Sequence, residues 1–198
     1  MKQIFSILIL ILVIGFVVVQ LFALKSQYNI ETHAFTVKKK YDAFEIRTYE
    51  KALFTSVKLP NNGFKDAASN GFSVLAGYIF GGNDKKEKIA MTSPVKMSIQ
   101  DSMTMLFMVP HKFKKETLPL PNDSNIEFKE EAEKTVAAIG FGGWANAKKI
   151  NRYKKDLSAA LDAKDISYSN RFFFLGYNAP YEVFNRKNEI IVELKSEN

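Results

Sequence analysis

The chain has 198 residues, of which 46% are hydrophobic and 25% charged, with six prolines and a formal net charge of +7. This length supports one sizeable core, and apolar residues run through the whole sequence, which excludes a compositionally disordered chain. Cysteine is absent, which excludes disulfides, a cysteine nucleophile, thiolate metal sites and lipid attachment at cysteine. The positive charge favours acidic partners, but the lysines are scattered and carry no recognition motif, so nucleic acid is not an expected partner.

From Ile4 to Leu24 the chain is apolar apart from Ser6, Gly15 and Gln20, with Lys2 before the run and Lys25 after it. Such a run has the length of a membrane-spanning helix. It lacks the short apolar core and small-residue cleavage pattern of a secretory signal. Residues 1–25 are therefore expected to form one N-terminal transmembrane helix, an uncleaved single-pass anchor, with a cleaved signal as the alternative. Lys38, Lys39 and Lys40 argue for holding the following domain in the cytoplasm, whereas a signal anchor exports it; the expectation adopted is an extracytoplasmic domain. Residues 26–40 read as a polar linker in which His33 is solvated.

The folded part is expected over residues 41–195. Phe44 and Ile46 alternate with Glu45 and Arg47, and Leu53, Val57 and Leu59 continue on the opposite parity, the pattern of one strand with a bulge between Tyr49 and Ala52. After Asn61-Asn62-Gly63, Phe64, Ala68, Phe72, Leu75 and Ile79 recur at helical spacing until Gly81-Gly82. The alternations Ile89 to Ile99 and Met103 to Val109 read as two strands of a hairpin broken at Asp101-Ser102. Beyond the proline-rich connection 118–123, the order repeats. Ile126 to Gly140 is strand-like in parts, Ile150, Tyr153, Leu157, Ala160 and Leu161 mark a helix, and 172–175 and 190–194 close the chain as strands. The pattern predicts an α+β fold of duplicated βαββ units forming a distorted antiparallel β-barrel flanked by two helices, with a ligand cleft at the seam.

At this point four blocks are similar to a known family. Tyr41-Asp42-Ala43-Phe44-Glu45-Ile46-Arg47-Thr48-Tyr49 resembles the opening strand of SOUL haem-binding proteins. Tyr78-Ile79-Phe80-Gly81-Gly82-Asn83, Lys88 to Val95, and Gly176-Tyr177-Asn178-Ala179-Pro180 with Arg186-Lys187-Asn188-Glu189 resemble its other blocks, in order, over roughly Val37 to Leu194. The resemblance implies the duplicated βαββ barrel, shared with effector-binding domains of some regulators, and a capacity to bind haem or a related tetrapyrrole.

Haem needs an apolar slot, cations for its propionates and, optionally, an axial ligand. The resemblance implies a shallow pocket between the first long helix of the domain and the loop joining the last two strands, which implicates Phe72, Tyr78, Tyr181 and Arg186. Arg47 and Lys51 are candidate propionate partners. Phe72 also fits the helix's core stripe, and Arg47 fits a surface strand face. Where some members of the family carry an axial histidine, this chain has Thr48, and Glu182 stands where some carry lysine. His111 and the methionines at 91, 97, 103, 105 and 108 read as exposed and as flexible core, respectively. No catalytic residue and no metal site is expected. The alternative readings are an enzyme using Glu45 or Glu189 as a general base, for hydrolysis or for removing metal from a tetrapyrrole, and an interaction module with a vestigial pocket. Against the enzyme reading, Glu189 is expected to pair structurally with Arg186 or another nearby cation.

Overall fold

The computed structural model describes residues 2–27, 30–59, 63–100 and 103–195; the turn expected at Asn61-Asn62 and the break expected at Asp101-Ser102 lie outside them. In chain order the elements are α1 (Lys2–Gln27), β1 (Phe35–Lys40), β2 (Glu45–Tyr49), β3 (Ala52–Lys58), α2 (Phe64–Ile79), β4 (Val95–Ser98), β5 (Thr104–Met108), β6 (Ile126–Glu131), β7 (Lys134–Gly142), α3 (Ala147–Asp162), β8 (Tyr168–Gly176) and β9 (Lys187–Leu194). The strands form one curled antiparallel sheet in the order β1-β2-β7-β9-β8-β4-β5-β3-β6. The fold is α+β, as the patterning predicts. With β1 set aside, exchanging β2 to β5 for β6 to β9 turns this order into its own reverse.

The sequence reads 44–59 as one bulged strand, but it is two. β2 pairs with β1 and β7, while β3 pairs with β5 and β6 in the other half of the sheet. The parity slip between Tyr49 and Ala52 is where the chain crosses between halves, and β6 and β7 divide in the same way. The strand expected from Ile89 shortens to β4, because Pro94 has no N–H to give a ladder. Within the span read as a linker, Phe35–Lys40 pairs with β2 as an edge strand. Its side chains are all exposed, and lysines protect such an edge from pairing further, so its composition imitates a spacer. His33 is buried rather than solvated: its Nε2 bonds the Glu50 carbonyl at 2.8 Å, and its ring lies 4.6 Å from that of Tyr49.

Alternation along the strands separates two faces. On one face α2 buries Ala67, Leu75 and Ile79 against Val57, Met97, Met105 and Phe107. On the same face α3 buries Ile150, Leu157 and Leu161 against Ala137, Phe172, Ile190 and Val192. Asn146 caps α3 by accepting the Lys149 N–H at 2.9 Å. The opposite face is concave, since His33 touches rings from β2 and β3, and Lys96 on β4 reaches Glu131 on β6 at 2.6 Å. The described side chains of α1 are exposed from Gln3 to Val19 and Gln20 is buried; the helix is long and apolar enough to cross a membrane.

The exit from α2 depends on Gly82, whose N–H bonds the Gly77 carbonyl at 2.9 Å. A Cβ there would stand 2.7 Å from that same backbone oxygen. Gly82→Ala is expected to cost about 1–3 kcal/mol, read as a lowered thermal midpoint; an unchanged midpoint would contradict the close approach.

Candidate functional site

A cleft of about 810 Å³ opens on the helical face of the sheet. Phe64, Ala68, Ser69 and Phe72 on α2 form one wall, and Trp144 with the start of α3 forms the opposite one. Val95, Met97, Met105 and Phe174 make an apolar floor. The loop between β8 and β9 supplies Asn178, Pro180 and Arg186 at the rim. Floor residues come from β4, β5 and β8, strands that meet where the two halves of the sheet join. The cleft therefore lies at the seam, between α2 and the loop joining the last two strands.

Arg186 is held at this rim from two sides. Its guanidinium lies 3.9 Å from the Trp144 ring centroid, and Nη1 donates to the carbonyls of Ala179, at 3.0 Å, and Glu182. Its Nε is buried and, among the described residues, has no hydrogen-bond partner. Glu182 is turned inward, accepting from Asn178 Nδ2 at 2.8 Å.

The candidate residues separate in space. Phe72 and Arg186 both line the cleft, with the Phe72 ring edge-on to Phe107 at 5.4 Å. Tyr78 is buried and donates its hydroxyl to the Pro119 carbonyl at 2.8 Å, and burial pushes its phenol up to about 12. Tyr181 is exposed in the β8–β9 loop. Lys51 lines a second cleft, of about 590 Å³, together with His111 and the 113–116 turn. His111 is half in solvent and pairs with Glu31. Thr48 is outside both clefts, hydrogen-bonded to Thr135 at 3.1 Å.

Arg47 faces the concave side, away from the larger cleft. There Nη1 donates to Glu189 at 2.9 Å, Nε donates to Glu45 at 2.9 Å, and the guanidinium covers the Phe35 ring at 4.4 Å. Glu189 is only 1% exposed and also accepts from the Tyr177 hydroxyl at 2.6 Å. Its cations are thus Arg47 and, at 3.2 Å, Lys187 rather than Arg186. Burial acts to raise the Glu189 carboxyl, but the bonds from Arg47 and Tyr177 outweigh it and hold the group below the ordinary carboxylate range. A second concave network joins Lys96, Glu131, Lys134 and Glu193. In β9, Asn188 points into the cleft while its neighbour Glu189 points to the other face, so strand parity decides which polar residue meets a ligand.

Sequence reasoning misses Trp144, Lys65, Phe64 and the cleft-lining roles of Met97 and Met105. Trp144 carries a readable signal, being the single tryptophan and lying just after Gly142-Gly143 and before the Asn146 cap.

A curled antiparallel sheet with two helices on its convex face defines a fold seen in solved structures. The EcmrR C-terminal domain superposes with a TM-score of 0.60 at 11% identity, over 78% of this chain and 98% of that one. A hydrolase from Listeria innocua gives 0.55 at 8% identity, over 80% and 94%. At such identities the likeness is one of fold. The model of the SOUL heme-binding protein family matches residues 30–193, and the chain belongs to that family. Relatives include Heme-binding protein 1 of Xenopus laevis, 29% identical over 75% of this chain and 82% of the relative, and Heme-binding protein 2 of Homo sapiens, 28% identical over 78% and 80%.

Proposed function

We propose that this protein binds haem or a related tetrapyrrole, without transforming it, in the cleft between α2 and the β8–β9 loop. The carrying observation is the pairing of an apolar floor with one fixed cation, Arg186, whose buried Nε lacks a partner among the described residues. A volume of about 810 Å³ suits a large planar ligand. Phe72 and Phe174 offer ring contacts, and Arg186 with Lys65 offers charge to propionates. Membership of a family whose named relatives are heme-binding proteins supports the same ligand class. The non-enzymatic reading is favoured because Glu45 and Glu189 are engaged by Arg47 and Glu189 faces away from the cleft. We assign α1 as a membrane anchor with the domain outside the cytoplasm, residues 41–195 forming the core of the binding domain.

No histidine lines the cleft among the described residues, and its two methionines, Met97 and Met105, are buried in the core. Recognition then rests on the ring and its carboxylates rather than on iron. Haemin and metal-free protoporphyrin IX are expected to bind the full chain in detergent within about ten-fold of each other, and Arg186→Ala is expected to weaken both by about ten-fold. Absorbance titration reads both. A hundred-fold preference for haemin would contradict the assignment.

A further inference from the structure

The β8–β9 loop does more than wall the cleft. It presents Tyr181, Val183 and Phe184 to solvent, Tyr181 and Phe184 each 57% exposed, beside Trp144 at 54%. A cluster of large exposed apolar side chains marks a contact surface, and α1 indicates what it meets. Between Ser6 and Gln20 the helix has no polar side chain. The 18-residue stretch Gln3–Gln20, apolar apart from Ser6 and its two terminal glutamines, spans about 27 Å at the helical rise, close to the hydrocarbon thickness of a bilayer. The apolar run goes on to Leu24 before Lys25, so Gln20 lies about one helical turn inside the end of the span, close to where hydrocarbon gives way to head groups.

Gln20 is also the residue that grips the loop. Its Nε2 donates to the Tyr181 carbonyl at 3.1 Å, and its Oε1 accepts the Val183 N–H at 3.2 Å. These two bonds fix the loop within about one helical turn of the head-group boundary. The composition of the loop and of Trp144 near it suits that depth, since tyrosine and tryptophan favour the interface and arginine keeps its charge in water while its stem lies in apolar surroundings. The acidic residue of the loop, Glu182, is withdrawn from the surface.

We propose that Tyr181, Val183, Phe184 and Trp144 dip into the interfacial layer of the membrane that holds α1, so that the cleft opens onto lipid head groups rather than onto bulk water. This rests on reading α1 as an anchor. It also means that a planar amphiphile reaches Arg186 from the lipid side.

Trp144, as the single tryptophan, reports on this directly. The full chain is reconstituted into phosphatidylcholine vesicles containing lipids with a nitroxide near the head-group end of the acyl chain. Trp144 emission is expected to move to the blue and fall by roughly half, with little response to aqueous iodide. The Val183→Asp/Phe184→Asp double variant should still float with the vesicles while losing most of the lipid quenching. A chain that floats but whose Trp144 is quenched by iodide and not by lipid overturns the proposal alone. Shielding from both quenchers also overturns it, pointing to a second copy of the chain as the covering partner. A chain that fails to float removes the anchor and the proposal together.

Discussion

Glu131→Gln is expected to destabilise the protein by about 3–5 kcal/mol at neutral pH, the cost of leaving buried charge without its counter-ion. Glu131 accepts from Lys96 Nζ at 2.6 and 2.9 Å and also pairs with Lys134. Lys96 is 3% exposed, its ammonium 4.1 Å from the centre of the Phe173 ring. Burial works to raise the Glu131 carboxyl, but the two ammonium groups prevail and hold it at about 2. A carboxylate depressed in the folded state stabilises fully above its unfolded value, near 4.5, and that contribution fades as pH falls from there towards 2. In the variant the slope keeps its sign but moves to alkaline pH. Burial and Lys134 already lower Lys96, and losing Glu131 lowers it further, so the folded state binds fewer protons than the unfolded one and stability climbs as pH rises towards the free lysine value. Thermal midpoints from pH 2 to 10 read both effects. A variant within about 1 kcal/mol of the parent, or one insensitive to alkaline pH, would contradict the network.

Ser69→Trp is expected to weaken tetrapyrrole binding by about a hundred-fold or more, because it places an indole where the ligand's ring must lie. Ser69 is an exposed position on α2 that lines the cleft, so the change should leave stability within about 0.5–1 kcal/mol of the parent. Loss of binding together with an unchanged thermal midpoint separates obstruction from unfolding.

The fold was legible wherever one face of an element is buried. The stripe Phe64, Ala68, Phe72, Leu75 and Ile79 located α2, and Ile150, Leu157 and Leu161 located α3, because helical periodicity records which side meets the sheet. The boundary between β2 and β3 reads as a bulge in the sequence, since a parity slip looks the same whether a strand bends or the chain crosses to the other half of the sheet. β1 leaves no signal in the sequence because an edge strand with every side chain exposed has no alternation to read.

The site was legible in part. Phe72 and Arg186 meet in one cleft, whereas Arg47, equally basic, is held by Glu189 on the opposite face. Local pattern gives a residue's face relative to its strand neighbours but not which face of the sheet carries the ligand. Buried ion pairs joining β2 to β9 and β4 to β6 are long-range facts of the fold, invisible in local composition.

The location of the ligand is tested most directly by titrating haemin into the full chain, its Ser69→Trp variant and a Lys115→Trp variant that adds the same bulk to the second cleft. Saturable Soret shifts that survive Lys115→Trp and vanish in Ser69→Trp are the expected result. An undiminished shift in Ser69→Trp would place the ligand elsewhere and contradict the account.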